Sequence, residues 1–386
     1  MIRREAGFSL VELLITMVIF VFVIAATSNI FVGLINQFKQ QSKIAETNIE
    51  GIVGLDIMRQ DIESVGYGLP WVWVHAALSS ADEAVNDAAT SHDDTVFNDI
   101  AVDDVPRAVV SGDSLGDFCQ GGVCSDVLVI KATNVARNEA SQKWTYVSPD
   151  NTVRVWDNPG EILANNDKAI VISLGNTDAT LRTLVLNAAG SFRATYVAPN
   201  SLSTGFAPAD TTDSRIIYGM AGAGGALRMP FNRADYYVRT PAAPNMPARC
   251  ATGTGVLYKA TVSQADGSLS ELPLLDCVAD MQVYYRLDTS VPPDGTIDSE
   301  PNSLAGLTAA DIRNQLREVR VYVLAHEGQR DTSYTFSGFT PGACSTCVRV
   351  GQSATLGRDF NLSTITDYLN YRWKVYTIVV QPKNLR

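Results

Sequence analysis

The chain has 386 residues, of which 46% are hydrophobic and 18% are charged, with 28 Gly and 16 Pro. This composition excludes a disordered tail and a protein with many membrane spans. The 41 Asp and Glu outnumber the 30 Lys and Arg, and the net charge of −11 argues against nucleic acid as a partner, because binding to the phosphate backbone needs a cationic surface. With three His in the chain, a His-rich metal site and most acid–base catalytic designs are disfavoured.

The N-terminal region contains one long uncharged segment. Leu13 to Phe38 is a run of 26 residues without a charged side chain, and its first half is almost entirely Leu, Ile, Val, Phe and Met. About 20 apolar residues are enough to cross a bilayer as a helix. Arg3 and Arg4 precede the run, so the positive-inside rule predicts a cytoplasmic N-terminus and an exported remainder.

The predicted helix continues beyond the membrane. Apolar residues recur at helical spacing along one face: Leu55, Met58, Ile62 and Val65. A second apolar strip lies on another side of the same helix: Ile49, Val53 and Ile57. The Gly and Pro residues within 66–70 predict the end of the helix.

The residues before the apolar run form a recognisable order. A short basic leader precedes Gly7-Phe8, and Glu12 follows four residues after Phe8. This order resembles the signal of type IV prepilins and related pseudopilins, and a plain signal anchor is the alternative. The resemblance implies cleavage between Gly7 and Phe8 by a prepilin peptidase, with methylation of the new terminal Phe8. It also implies that Glu12 pairs with the terminal amine of a neighbouring subunit during assembly, since a carboxylate in an apolar span usually has a partner.

The rest of the chain is β-rich. From residue 126 on, short runs of β-prone residues recur at 126–132, 152–157, 169–174, 181–186, 236–239, 256–262, 281–287, 319–325 and 371–381. One short helix interrupts them, beginning at a capping box formed by Thr308 and Asp311.

The predicted fold class is α+β. A long N-terminal helix, with a transmembrane half and an amphipathic half, packs on an elaborated antiparallel β-sheet head. Residues 1–7 are predicted to be a leader peptide and residues 8–38 a transmembrane and filament-core helix. Residues 39–66 are the predicted amphipathic half of that helix, and residues 67–386 are the predicted periplasmic or extracellular β-rich globular head.

Sequence blocks in the head narrow the resemblance. Ser125 to Ile130 resembles the strand that opens the head of PilW-type minor pilins, and further blocks of that family follow in order at 236–238, 250–258, 274–285 and 371–386. The resemblance implies a minor pilin of a type IV pilus, not an enzyme and without a cofactor. Such a protein spans the inner membrane once with a periplasmic head, and then enters the cell-surface pilus at or near its tip to prime assembly.

The same resemblance implies the partners. These are the prepilin peptidase, other minor pilins, the major pilin, the inner-membrane assembly platform and a tip adhesin. The chain also contacts the membrane before assembly, and nucleic acid is not an expected partner. Two alternative functions remain open: a minor pseudopilin of a type II secretion system, and an adhesive binding module at a pilus tip.

All six cysteines lie after residue 118 and form three close pairs: Cys119/Cys124, Cys250/Cys277 and Cys344/Cys347. Sequence alone allows fifteen connectivities, and proximity favours these pairs as structural disulfides of an oxidising compartment. The middle pair would close a hairpin with its turn at 265–267. The last pair also fits a redox motif or half of a zinc site, although its position in a predicted loop favours a disulfide.

The block Gly112 to Gly116 suggests hydrolase chemistry. It fits G-x-S-x-G around Ser114 and resembles the GDSL block of a hydrolase family. That family also requires an Asp three residues before a His, and no His of this chain has one. A polar turn is therefore the favoured interpretation.

Two acidic segments suggest calcium. Asp294, Asp298 and Glu300 resemble part of a calcium loop but lack its full spacing, so a turn is favoured and no metal is expected. Between Gln60 and Pro106 the carboxylates are numerous and there is no Lys or Arg, which predicts a solvated loop. The pairs at 93–94 and 103–104 are the calcium alternatives in this segment.

Overall fold

The computed structural model describes most of the chain, namely residues 9–73, 83–85, 94–98, 105–116, 118–120, 122–175, 177 and 181–385, apart from the side chains of Asn36, Glu50, Trp73 and Gln120. The described residues form one long helix, one short helix and eighteen strands, together with five turns of 3-10 helix. We call the β-rich part after residue 66 the head.

Helix α1, Leu10–Glu63, has 54 residues and is therefore about 81 Å long. Ser9 caps its N-terminus, because the Ser9 hydroxyl accepts the backbone N–H of Glu12 at 3.2 Å. The helix ends where the glycines predict. Gly66 has a φ of +76°, a left-handed conformation that glycine adopts without strain.

The strands of the head are numbered in chain order. The first nine are β1 Val72–Trp73, β2 Val109–Gly112, β3 Cys119–Gln120, β4 Val123–Cys124, β5 Val127–Ala132, β6 Trp144–Val147, β7 Lys168–Ser173, β8 Thr183–Leu184 and β9 Ala194–Val197. The others are β10 Ser201–Leu202, β11 Arg215–Ala221, β12 Asn232–Arg239, β13 Gly255–Val262, β14 Leu269–Leu287, β15 Leu316–Glu327, β16 Cys347–Gly351, β17 Gly357–Asn361 and β18 Arg372–Val380. Helix α2, Ala309–Gln315, begins at the predicted capping box.

Two sheets of seven described strands build the head. The first sheet has the order β18-β15-β14-β13-β12-β5-β2 and is antiparallel throughout. The second has the order β1-β8-β7-β11-β6, with β9 pairing on β7 and β10 on β9. The prediction of a helix on antiparallel sheets is thus confirmed, with the β1–β8 pair as a parallel exception.

The main core lies between helix α1 and both sheets. Alternation along β14 divides the head into layers, since successive strand residues point to opposite faces. Met281 and Val283 belong to the main core, whereas Tyr284 belongs to a second cluster beneath the β16–β17 ribbon. The chain end returns to the helix, where Lys383 Nζ lies 2.6 Å from a Glu63 carboxylate oxygen.

One strand prediction was wrong, and another was too long. The run 152–157 forms isolated bridges and no strand, and β6 lies before it instead. Arg154 donates its backbone N–H to the Tyr146 carbonyl, and Trp156 donates its indole N–H to the Trp144 carbonyl, so the run covers the edge of β6. The run 181–186 shortens to the two residues of β8.

The prediction of a solvated acidic loop was wrong for Glu83 and Asp94, which are both fully buried. The Glu83 carboxylate lies 2.9 Å from Lys131 Nζ and 3.0 Å from Arg233 Nη1. The two cations are buried on β5 and β12 and compensate its charge. Residues 93, 103 and 104 of the calcium alternatives lie outside the described residues.

Candidate functional site

The N-terminal half of helix α1 is apolar and lies away from the head. All of its described side chains from Leu10 to Phe38 are exposed. An 18-residue window of this helix has a mean hydropathy of 2.7 and is 0% buried, so it is long and apolar enough to cross a membrane. Glu12 is exposed in the first turn. Gly7 and Phe8 lie outside the described residues, so their processing stays a prediction.

The C-terminal third of the helix binds the head through one face. The predicted stripe is buried: Leu55, Met58, Ile62 and Val65 all belong to the main core. In the second predicted strip, Ile49 and Val53 are exposed by 64% and 58%. Ile57 differs from them, because it packs at the edge of the core.

A glycine lets the helix approach the sheet closely. A Cβ atom at Gly54 would lie 2.0 Å from the backbone oxygen of Leu274 on β14. Only a residue without a side chain permits this distance. Gly54 is not among the predicted contact residues, although a glycine inside a helical stripe signals close packing.

Asp61 is the polar centre of the attachment, by which we mean the contact between helix α1 and the head. It is 2% exposed. One oxygen, Oδ1, accepts hydrogen bonds from Arg137 Nη2 at 2.7 Å and Nε at 3.0 Å. The other, Oδ2, accepts from the Tyr236 hydroxyl at 2.5 Å and from Lys259 Nζ. Both carboxylate oxygens are therefore saturated by groups of the head, which gives the buried charge its partners.

Burial dominates the electrostatics of this network. Desolvation lowers the pKa of Lys259, and the attraction of Asp61 offsets part of that effect. Desolvation also raises the pKa of Tyr236 well above its ordinary value, and Asp61 raises it further. Tyr236 is therefore a neutral hydroxyl donor and Asp61 its acceptor. The sequence offered one signal: Asp61 lies three residues after Met58 and four before Val65, on the buried stripe.

A second polar contact joins helix α1 to the head, closer to the apolar half of the helix than Asp61 is. The Thr47 hydroxyl accepts the backbone N–H of Gly328 at 3.1 Å, just after β15. Thr47 is 5% exposed. The contacts with the head thus extend from Thr47 of helix α1 to Val65 just after it, while the apolar half of the helix stays free for other contacts.

Residues 2–28 match the family model of the prokaryotic N-terminal methylation motif. The motif supports a type IV pilin-like protein. It contains Gly7, Phe8 and Glu12, and it implies processing by a prepilin peptidase and assembly with other pilins. No curated protein and no solved structure matches the chain.

The head of this pilin-like protein carries three disulfides. They join the pairs that proximity favours: Cys119–Cys124, Cys250–Cys277 and Cys344–Cys347. The middle disulfide closes the β13–β14 hairpin, whose turn includes Gly267 with a φ of +82°. The last one lies at the start of β16, and its bonded sulfurs offer no thiolate for zinc.

His326 lies beside the middle disulfide. Among the described residues, Cys250, Cys277 and His326 form the one group whose ligand atoms lie close enough to hold a metal ion, within 4.8 Å. Disulfide sulfurs are not thiolates, so the group as it stands does not bind a metal. Burial lowers the pKa of His326 to about 3, and its Nε2 accepts the backbone N–H of Ala251 at 2.9 Å.

Ser114 lies in an exposed turn after β2. Its backbone N–H donates to Asp126 Oδ1 at 2.9 Å. His326, the histidine within the described part of the chain, is a buried neutral imidazole packed on Tyr371 and Trp373. Within the described residues, Ser114 therefore has no histidine that could act as its base.

The three calcium candidates point to separate partners. The Asp298 carboxylate accepts the backbone N–H of Thr289 at 2.8 Å. Glu300 forms an ion pair with Arg286 at 2.6 Å. Asp294 accepts a backbone N–H two residues ahead at 2.8 Å, which closes a local turn. Each carboxylate thus serves a loop contact, and the three do not converge on a common point.

Proposed function

We propose that the chain is a minor pilin of a type IV pilus. In this proposal residues 1–7 are a leader removed by the prepilin peptidase, residues 8–38 span the inner membrane and then enter the filament core, and residues 39–66 carry the head. The observation that carries the proposal is the methylation motif at the start of a helix whose described side chains from Leu10 to Phe38 are all exposed. A surface of that kind needs either lipid or other apolar helices around it.

The size of the head supports a place at or near the pilus tip. Two seven-stranded sheets and three disulfides are attached through a single helix face. A large head meets fewer neighbours at the end of a helical array than along its side. The partners are then other minor pilins, the major pilin, the assembly platform and a tip adhesin, and the role is to prime assembly rather than to catalyse a reaction.

Glu12 is the proposed assembly residue. Its exposed carboxylate sits in an otherwise uncharged apolar surface, where an unpaired charge is costly. Pairing with the methylated Phe8 amine of a neighbouring subunit removes that cost and sets the axial register. Glu46 is the matched control, because it is an exposed carboxylate of the same helix that already pairs with Lys43 at 2.6 Å.

The test is made in a piliated host that lacks its own copy of the gene. We expect mass spectrometry of the purified chain to show an N-terminal methylated Phe8. Glu12→Gln should reduce incorporation into sheared pili about tenfold or more, whereas Glu46→Gln should leave incorporation unchanged. A chain that retains residues 1–7, or equal incorporation of both variants, would contradict the proposal. Loss of enzyme secretion with normal pili in the deletion strain would instead favour a pseudopilin.

A further inference from the structure

A polar groove lies beside helix α1 at the point where its apolar run ends, near Phe38. It lies between helix residues 37, 39–41 and 44 and the loop 329–333 that follows β15, with a cavity volume of about 670 Å³. Three basic side chains line it, Lys39, Arg330 and Arg372, against one acidic side chain, Asp331. This is a local excess of positive charge in a chain whose net charge is −11.

The guanidinium of Arg372 is held in place by two contacts, and one of its nitrogens has no hydrogen-bond partner among the described residues. Its Nη2 donates to Asp331 at 2.7 Å, and its plane lies over the Tyr334 ring at 4.3 Å from the centroid. Its Nη1 is buried and has no hydrogen-bond partner within the described residues. Arg372 lines the groove, and a guanidinium held in one position suits an oxyanion, phosphate in particular.

The other two cations are available to the same ligand. Lys39 is exposed, and no ion pair to it is found among the residues that the structure describes. Arg330 pairs with Asp367 at 3.2 Å, but both side chains are about half exposed, and such surface pairs are weak enough to rearrange. A phosphate in the groove would therefore meet positive charge from the helix, the loop and β18.

The groove lies at the depth of a lipid headgroup. Lys39 is the first charged residue after the apolar run ends at Phe38. Residues 39–44 extend about 9 Å along the helix axis, and each headgroup layer of a bilayer is about 5–8 Å thick. The apolar run of 26 residues is about 39 Å long, which is about 9 Å more than the hydrocarbon core of a bilayer. A run centred in the membrane therefore places Lys39 about 4–5 Å outside that core, in the headgroup layer of the outer leaflet.

We propose that this groove binds the phosphate of an anionic phospholipid while the chain is in the membrane. The inference rests on the proposed function in one respect, because it needs a membrane-anchored chain. Free inorganic phosphate offers the same chemistry, but the position of the groove favours the lipid. Bound lipid would hold the base of an acidic head against an anionic surface, and it would be released when the chain moves into a filament.

The test uses the full chain in detergent micelles that contain phosphatidylglycerol or phosphatidylcholine, with bound lipid measured by native mass spectrometry. We expect phosphatidylglycerol to bind about tenfold more tightly. The double variant Lys39→Gln/Arg330→Gln should weaken that binding about 25-fold, since each basic residue near an anionic lipid contributes about fivefold. Lys43→Gln is the matched control, because Lys43 is an exposed cation of the same helix outside the groove.

The outcomes separate the sources of phosphate. Binding of phosphatidylglycerol that persists in millimolar inorganic phosphate supports the lipid. Displacement of the lipid by inorganic phosphate would overturn the proposal and assign the groove to the free ion. Equal affinity for the two lipids, or an equal loss in Lys43→Gln, would also overturn it. Retention of residues 1–7 in cells contradicts the proposed function instead, and the lipid measurement does not depend on it.

Discussion

The Tyr236 hydroxyl on β12 donates a hydrogen bond to Asp61 of helix α1 at 2.5 Å. The two residues are 175 positions apart in sequence and both are buried. Their contact fixes the rotation of the helix on the sheet, because an apolar stripe alone tolerates small rotations whereas a saturated carboxylate does not.

Removing the charge of Asp61 should destabilise the attachment strongly. In Asp61→Asn, Lys259 stays buried and loses its carboxylate, keeping the Val135 carbonyl at 2.7 Å as its remaining acceptor. Breaking one partner of a buried ion pair costs about 3–5 kcal/mol. Urea unfolding of the full chain in detergent, followed by tryptophan fluorescence, measures this cost.

Asp56→Asn is the control for that variant. Asp56 is exposed on the same helix and accepts a hydrogen bond from Gln60 at 2.6 Å. We expect a change within about 0.5 kcal/mol. If both variants changed the free energy of unfolding equally, Asp61 would not be the polar centre of the attachment.

Gly54→Ala should separate the helix from β14. The added Cβ would meet the Leu274 backbone oxygen at 2.0 Å, and backbone cannot rotate away as a side chain can. Overpacking of this kind costs about 1–3 kcal/mol. Gly33→Ala tests the opposite case, since nothing lies within 4 Å of its new Cβ. That substitution should favour the helix by about 1 kcal/mol, and equal effects of the two would refute the close approach.

The three disulfides should differ in their contribution to stability. The two cysteines are 27 residues apart in Cys250–Cys277, 5 apart in Cys119–Cys124 and 3 apart in Cys344–Cys347. Chain entropy then predicts a loss of about 3–4 kcal/mol for the Cys250→Ala/Cys277→Ala variant and about 2 kcal/mol for each of the others. Denaturant unfolding of the three double variants should show this order, and a reversed order would contradict it.

Asp280 should make stability depend on pH. Burial raises its pKa to about 6, although Arg358 lowers it in part. Below about pH 4 the carboxyl is protonated in both states, and as the pH rises towards 6 the folded state holds the proton more tightly. The contribution of Asp280 to the free energy of unfolding is therefore lost as the pH rises, by up to about 3 kcal/mol at pH 7.

The variant Asp280→Asn isolates this effect, because its amide oxygen can still accept from Ser125. Relative to Asp280→Asn, the wild type should become less stable between pH 4 and pH 7. Asp150→Asn should show the opposite sign at lower pH, since hydrogen bonds from Thr152 lower the pKa of Asp150 and its contribution to stability is lost as the pH falls below about 4. Parallel pH profiles of wild type and Asp280→Asn would count against the titration.

Local signals were sufficient for the helices and the disulfides. The apolar stripe ending in Val65, the glycine at 66 and the capping box at Thr308 each depend on neighbours within a few residues. The same holds for cysteine pairs such as Cys344 and Cys347. Such features are encoded in short segments, so they can be predicted from one sequence.

Features that depend on distant partners could not be predicted in this way. Strand β11 forms because β7 and β6 flank it, and its own sequence does not alternate clearly. Asp61 and Glu83 resembled solvated acids because their cations, Lys259 and Arg233 among them, come from strands far along the chain. The buried charge pattern is therefore a tertiary property.

The direction of the attachment determines how the molecule bears mechanical load. The contacts at Thr47, Gly54 and Asp61 lie in a row along the helix axis. Tension along that axis would therefore act along the interface between helix and head and load the three contacts in shear. Contacts loaded in shear share the force and must yield together, whereas contacts peeled from one end yield one by one. The row thus lets the helix and the head stay joined under a larger axial force than any one of the three contacts could bear alone.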